Sequence, residues 1–234
     1  MKVVILCGGL GTRLSEETAV KPKPMVKIGN KPILQHIINL YYKHGFREFI
    51  LALGYKGYYI KNYFKNNFEK KIKIHLINTG KNTLTGGRLL RLKNFFQTDE
   101  NFMLTYGDGI SNQNIKKLKN FHYKNKKIAT MTVVRPPVRF GEVKLKNNLI
   151  TSFKEKPQSS NSWINGGFFV FNSKIFNFIK NDKTMLEREP LEILQKKKEL
   201  LAFKHKGFWQ CMDTLREKNY LNKLYKENKL KWMR

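Results

Sequence analysis

Apolar positions along the chain fall into two rhythms. Val3-Val4-Ile5-Leu6-Cys7 is an unbroken apolar run, Phe49-Ile50-Leu51-Ala52-Leu53 is another, and Asn101-Phe102-Met103-Leu104-Thr105 carries a third. Each is short enough for a buried strand. Between the first two, Ile33, Leu34, Ile37, Ile38 and Tyr41 recur at helical spacing behind Pro32, which a first helical turn tolerates, and Gly45 closes the run. Gly54-Tyr55-Lys56-Gly57 turns the chain into an aromatic-rich helix expected near Tyr58 to Phe68, and Ile72 to Ile77 alternates as a further strand. Strand, helix, strand, helix, strand is the rhythm of a parallel sheet covered on both faces.

The second half changes character. Ser111 or Asn112 is expected to cap a helix running to about Lys124, followed by a strand from Ile128 to Val134. Pro136-Pro137 interrupts the parallel rhythm, and Val138 to Phe153 predicts shorter antiparallel pieces turning at Lys146-Asn147-Asn148. Ser173 is expected to cap a short helix, Glu189 to Leu194 another with an acidic first turn, and Leu200 to Lys204 a strand before a last helix carrying Leu215, Leu221, Leu224 and Tyr225. The expected fold class is α/β: a Rossmann-like, mostly parallel sheet with helices on both faces and a small antiparallel subregion. At 234 residues the chain suits one substantial domain, residues 1–234, with a nucleotide-binding half to about 134 and a second part from about 135 to 234.

Composition narrows the function classes. No apolar run approaches the ~20 residues of a membrane span, and the chain enters its first strand without a charged-then-apolar leader, so a cytoplasmic protein with no membrane insertion is expected. Cys7 and Cys211 belong to no C-x-x-C pair, and the five histidines have no ligand spacing, which argues against a disulfide framework, a structural zinc site or a catalytic histidine. The net charge of +29 is large, but its lysines are spread along the chain with asparagines, a compositional bias of solvated faces rather than a site for specific nucleic acid.

Candidate chemistry begins where the first strand ends. Leu6-Cys7-Gly8-Gly9-Leu10-Gly11-Thr12-Arg13-Leu14 delivers a loop whose missing Cβ atoms let backbone N–H groups close around phosphate oxygens, and Arg13 and Lys23 add full positive charges. The dinucleotide fingerprint fails because Leu14 stands where its last glycine belongs, and no Gly-Lys-Ser/Thr is present for a P-loop. Because right-handed crossovers gather strand ends on one edge, ligands are expected in the crevice outside the carboxyl ends. Thr79 to Arg88, rich in Gly and Thr, follows a strand there, and Tyr106-Gly107-Asp108-Gly109 follows another. A carboxylate between glycines at a strand end suits Mg²⁺, although Asp-Gly taken alone is also an ordinary turn signal.

Gly8-Gly9-x-Gly11-Thr12-Arg13-Leu14 followed by Lys21-Pro22-Lys23-Pro24 resembles the signature of sugar-1-phosphate nucleotidyltransferases. Leu14-Ser15-Glu16-Glu17-Thr18, Thr85-Gly86-Gly87-Arg88-Leu89, Asn165-Gly166-Gly167-Phe168-Phe169 and Gly207-Phe208-Trp209-Gln210-Cys211-Met212-Asp213-Thr214 resemble the glucose-1-phosphate cytidylyltransferase branch, and the likeness covers nearly the whole chain. It implies the nucleotide-diphospho-sugar transferase type of fold and a reaction between CTP and α-D-glucose 1-phosphate that yields CDP-glucose and pyrophosphate for cell-surface polysaccharide synthesis such as O-antigen. UTP, dTTP or another hexose 1-phosphate is the alternative, and a non-enzymatic polyanion-binding protein is a more distant one.

The same likeness implies the site. Asp108 and Asp213 are the magnesium carboxylates, although Asp213 alone would read as a helix N-cap. Arg13, Lys23 and Lys156 are the catalytic cations. Leu6 through Arg13, Lys23, Thr83, Arg88 and Gly107 meet the nucleotide or substrate, with glycines of the 79–88 segment letting the backbone approach a base edge. Glu155 accepts hydrogen bonds from sugar hydroxyls, Lys156 meets the sugar phosphate, and Gly141 and Asn165 are candidates for hydroxyl contacts. Between Phe68 and Ile72 the chain is shorter than is usual in that branch, in a region tied to subunit contacts, and a homo-oligomer is expected.

Overall fold

The computed structural model describes residues 1–9, 11, 14–66, 71–136, 142–154 and 162–232. Strand β1 (Val3–Cys7) leads to a single helical turn α1 (Ser15–Thr18), a small ribbon of β2 (Lys27–Ile28) and β3 (Lys31–Pro32), and helix α2 (Ile33–Lys43). Then follow β4 (Glu48–Leu53), α3 (Gly57–Asn66), β5 (Lys73–Asn78), α4 (Thr85–Leu90), β6 (Asn101–Tyr106), β7 (Gly109–Ser111), α5 (Ile115–Asn125) and β8 (Ala129–Val134). The chain continues with a hairpin of β9 (Glu142–Lys146) and β10 (Leu149–Lys154), then β11 (Ile164–Asn172), α6 (Glu189–Lys196), β12 (Leu200–His205), β13 (Trp209–Cys211) and α7 (Leu215–Lys226).

Seven strands form one sheet in the order β12-β8-β11-β6-β1-β4-β5. β1 lies near its middle, parallel to β4 on one side and β6 on the other. β4 with β5 and β12 with β8 are also parallel, while β11 runs antiparallel between β6 and β8. Every β1 residue is buried, because the sheet is covered on both sides: Val3, Ile5 and Cys7 enter one apolar core with α2 and α7, and Val4 and Leu6 enter the other with α4 and α6. A period of two thus explains why this strand is apolar at every position. The hairpin turns at Asn147, whose φ is 52°, as its sequence predicts.

Two expected caps are corrected, and Asp213 does not take the cap position that it would suggest on its own. Ser111 lies in β7, where its hydroxyl donates to Phe208 O (2.9 Å), and α5 is capped instead by Asn114, whose Oδ1 accepts from Lys117 N (2.9 Å). Asn172 rather than Ser173 caps the 3₁₀ turn Ser173–Phe178. Thr214, not Asp213, caps α7 in a full capping box with Glu217. The segment Thr79–Arg88 is also only partly a loop, since α4 begins at Thr85.

α5 packs on the sheet through His122, which is 1% exposed. The acceptor on its Nε2 side is Asn101 Oδ1 (3.3 Å), which leaves Nδ1 to accept from Thr130 Oγ1 (2.9 Å) and defines a neutral ring. Burial lowers its pKa to about 4. The unfolded ring titrates near ~6.5, so the unfolded chain binds the extra proton and stability present above that pH is lost as pH falls toward the folded value. Urea unfolding at pH 7 and pH 4 is therefore expected to show a loss at least partly removed in His122→Gln, by at most about 3 kcal/mol.

Candidate active site

A cavity of about 720 Å³ opens outside the carboxyl ends of β1 and β6, lined by the glycine loop, Lys23, Thr83 to Thr85, Tyr106 to Gly109, and Asn165 to Gly167. Of the residues singled out in the sequence, it gathers Leu6, Cys7, Gly8, Gly9, Gly11, Lys23, Thr83, Arg88, Gly107, Asp108, Asn165 and Asp213. Leu10, Thr12, Arg13, Gly141, Glu155 and Lys156 lie outside the described residues.

Lys23 sits in a short 3₁₀ turn, Lys23–Met25, between two prolines that fix its backbone, with Met25 N bonded to Pro22 O at 2.8 Å. Its Cβ lies 3.2 Å from where a Cβ on Gly11 would stand, so it abuts the glycine loop. Its ammonium donates to Asp108 Oδ2 at 2.7 Å and to Asp213 Oδ1. Burial alone would lower its pKa, but the two carboxylates outweigh that and hold it above the ordinary lysine value.

Two carboxylates 105 positions apart in sequence meet here because β13 pairs antiparallel with β7, Cys211 opposite Gly109. Met212 N then bonds Asp108 O at 2.9 Å. Beyond the ribbon, Glu217 Oε2 accepts from Asp213 N (2.7 Å) and Thr214 N (2.9 Å), fixing the Asp213 backbone while Thr214 does the capping. The Asp213 carboxylate is thereby turned to Lys23. Two hard oxygen donors around one cation fit Mg²⁺, which binds through one or two carboxylates plus substrate phosphates and keeps several waters. Among the described residues no larger cluster of His, Cys, Asp or Glu competes with this pair.

Arg88 has a task that the sequence does not reveal. Its guanidinium, from within α4, donates to Gly8 O (2.9 Å), Gly80 O (2.6 Å), Lys81 O (3.2 Å), Leu53 O (3.3 Å) and Thr79 Oγ1 (2.9 Å). A Cβ on Gly8 would fall 2.2 Å from that guanidinium, so only glycine admits it. It ties the loops after β1, β4 and β5 together, and its charge is met only by neutral acceptors in those bonds, leaving the glycine loop electropositive.

The glycines of α4 serve packing rather than a base edge: a Cβ on Gly87 would stand 2.5 Å from Asp182 Cα. The cysteines are not nucleophiles, since burial and nearby carboxylates push the Cys7 thiol strongly up and Cys211 to about 12. Glu187 is a cavity group that no motif marks, whereas Thr85, Tyr106 and Trp209 fall within family motifs without a role of their own.

The fold is that of a nucleotide-using α/β transferase class, and its site sets a glycine loop at the first strand beside a lysine shared by two carboxylates. The Nucleotidyl transferase family model matches residues 2–221, and the chain belongs to that family. It is 48% identical to glucose-1-phosphate cytidylyltransferase of Salmonella typhimurium, an alignment covering 99% of this chain and 98% of that protein. Against the mannose-1-phosphate guanylyltransferase catalytic subunit beta of Drosophila melanogaster the identity is 34%, over 94% of this chain and 61% of the relative. UDP-glucose pyrophosphorylase from Acinetobacter baumannii has the same fold, with a TM-score of 0.76 at 16% identity over 99% of this chain and 95% of that one. The Salmonella alignment spans 253 positions against 234 residues here, so at least 253 − 234 = 19 positions are absent from this chain; residues 67–70, next to the expected shortening, lie outside the described residues.

Arg88→Met removes the shared donor: Gly80 O and Lys81 O lose its hydrogen bonds, while Gly8 O keeps Tyr55 N and Leu53 O keeps Thr79 N. Urea unfolding is expected to show a loss of about 3 kcal/mol, and nucleotide affinity is expected to fall with it as the Gly8 loop loosens.

Proposed function

We propose that this chain transfers the cytidylyl group of CTP to α-D-glucose 1-phosphate, giving CDP-glucose and pyrophosphate. The observation that carries the reading is the meeting of Lys23, Asp108 and Asp213 beside the glycine loop. The choice of cytosine and glucose is supported by the 48% identity to a glucose-1-phosphate cytidylyltransferase, against 34% to a guanylyltransferase.

In the reaction an oxygen of the sugar phosphate attacks the α-phosphorus, the new P–O bond forms in line, and the bond to the β-phosphate breaks with its electron pair leaving on pyrophosphate. That oxygen is already anionic at neutral pH, so no general base is required. The residues' work is positioning and charge. Gly8, Gly9 and Gly11 bring backbone close to the phosphates, and Arg88 fixes the Gly8 carbonyl behind them. Lys23, held protonated, supplies positive charge beside the reacting phosphates. Asp108 and Asp213 would hold Mg²⁺, which when bound neutralises phosphate charge. Arg13 is assigned to the leaving phosphates, Lys156 to the sugar phosphate, and Glu155, Gly141 and Asn165 to the sugar hydroxyls. Residues to about 134 thus carry the nucleotide-binding half, and about 135–234 the sugar-binding residues and the C-terminal part that supplies Asp213.

A cytoplasmic setting follows from the soluble substrates this reading names, and no helix among the described residues is long and apolar enough to cross a membrane. CDP-glucose would feed deoxysugars of surface polysaccharide such as O-antigen. A homo-oligomer is supported by the exposed Val143, Leu149, Ile150 and Phe153 on the β9–β10 hairpin, and light scattering on the purified protein measures it.

The deciding experiment measures pyrophosphate release from CTP, UTP and dTTP against a panel of hexose 1-phosphates, with and without Mg²⁺. Turnover is expected with CTP and glucose 1-phosphate and none after chelation; preference for another pair overturns the assignment. Asp108→Asn and Lys23→Ala are each expected to lower kcat by ~10² to 10³ with the fold retained by circular dichroism.

A further inference from the structure

The cavity contains a carboxylate that the reaction above leaves unused. Glu187 lies in the segment before α6 and lines the cavity with Thr85, Tyr106 and Asn165. Its position comes from α4: Leu84 N bonds Asp182 O (2.9 Å), Gly86 N bonds Thr184 O (3.0 Å), and the two helix glycines let the backbones meet. That docking puts Thr85 Oγ1 2.6 Å from Glu187 Oε2 as donor, while the same hydroxyl accepts from Leu186 N at 2.9 Å.

Tyr106, the last residue of β6, donates its hydroxyl to Glu187 Oε1 at 2.5 Å. Tyr106 is also bonded to the Asn165 side chain, whose Oδ1 is fixed by Gly167 N at 2.8 Å. Each oxygen of Glu187 is therefore held by one hydroxyl, which leaves roughly half of a carboxylate's ~four acceptor positions for a ligand.

The chemistry of that ligand group follows from charge and place. An anion repels phosphates, so what it accepts from is a neutral donor. Along the sheet edge the glycine loop leaves β1, whereas Tyr106 ends β6 and Asn165 stands on β11, the next strands away from β4 and β5. Tyr106 thus stands one strand away from the β1 loop, on the strand that delivers Asp108, and Asn165 one strand further, toward the side left for the incoming sugar. We propose that Glu187, oriented by Tyr106 and Thr85, accepts hydrogen bonds from hydroxyls of the hexose and is a specificity-determining residue for the sugar 1-phosphate. This rests on the sugar nucleotidyltransferase reading above.

The test compares wild type, Glu187→Gln and Tyr106→Phe for kcat and KM with CTP, with glucose 1-phosphate and with its monodeoxy analogues. Thermal unfolding of each protein accompanies the kinetics, and Tyr106→Phe, which keeps the carboxylate, gives a second reading if Glu187→Gln folds poorly. In Glu187→Gln the KM for glucose 1-phosphate is expected to rise ~10- to 100-fold, with the KM for CTP within about threefold. The wild-type penalty for at least one deoxy analogue is expected to shrink ~10-fold in that variant, since carboxylate and hydroxyl act as a pair. Tyr106→Phe should move the same analogue in the same direction by less.

An equal loss with every sugar would make Glu187 merely structural and overturn the inference, as would a changed CTP to UTP ratio with the sugar profile intact. Absence of wild-type turnover with CTP and glucose 1-phosphate would overturn the enzyme assignment and this inference with it. Normal wild-type turnover with an unaltered deoxy profile in both variants overturns this inference alone.

Discussion

One ammonium group gathers the two carboxylates on which the site depends. Lys23 comes from a proline-framed turn near the start of the chain, Asp108 from the end of a central strand and Asp213 from the approach to the last helix. Two carboxylates brought this close repel each other unless a cation lies between them, so the charge arrangement is consistent only when Lys23 or a divalent cation is there. The three-residue pairing of β13 with β7 delivers Asp213, and the capping box at Thr214 and Glu217 holds its backbone. The site is therefore tied into the closure of the fold.

A second constraint shapes the anion cradle. The three loops after β1, β4 and β5 have their carbonyls turned toward one buried guanidinium, and Arg88 reaches them because α4 lies tight against residues 182–186. That contact also sets Thr85 beside Glu187. One helix of six residues thus contributes twice to the cavity, holding the Gly8 loop through Arg88 and the Glu187 carboxylate through Thr85. Glycine at 86 and 87 is what the contact needs, since any Cβ there would strike main chain.

The parallel strands and long helices were legible in the sequence because their signals are local, whereas β11, which runs antiparallel between β6 and β8, was not read as a strand. β1 is apolar at every position for a sheet covered on both faces, and α2 shows its buried stripe from Ile33 to Tyr41. Caps were less legible, because Ser111 and Asp213 have suitable side chains whose partners are chosen by tertiary pairing: Ser111 bonds Phe208 O, and Asp213 meets Lys23. The gathering of Asp108 with Asp213 was readable only through the family likeness, as no spacing in the chain implies it. The role of Gly86 and Gly87 was misread for a similar reason, since a glycine marks a close approach without saying to what. Glu187 gave no signal at all, standing in a polar stretch whose neighbours Glu189 and Glu192 merely begin a helix.

In the proposed reaction two remote carboxylates act as one cation site next to Lys23. A double-mutant cycle on the magnesium dependence of CDP-glucose formation measures this directly, with Asp108→Asn, Asp213→Asn and the pair. If they grip one ion, each single substitution raises half-saturating Mg²⁺ and the double adds little to the larger of the two. Independent effects that multiply in the double variant, or a magnesium requirement unchanged by either substitution, would contradict it.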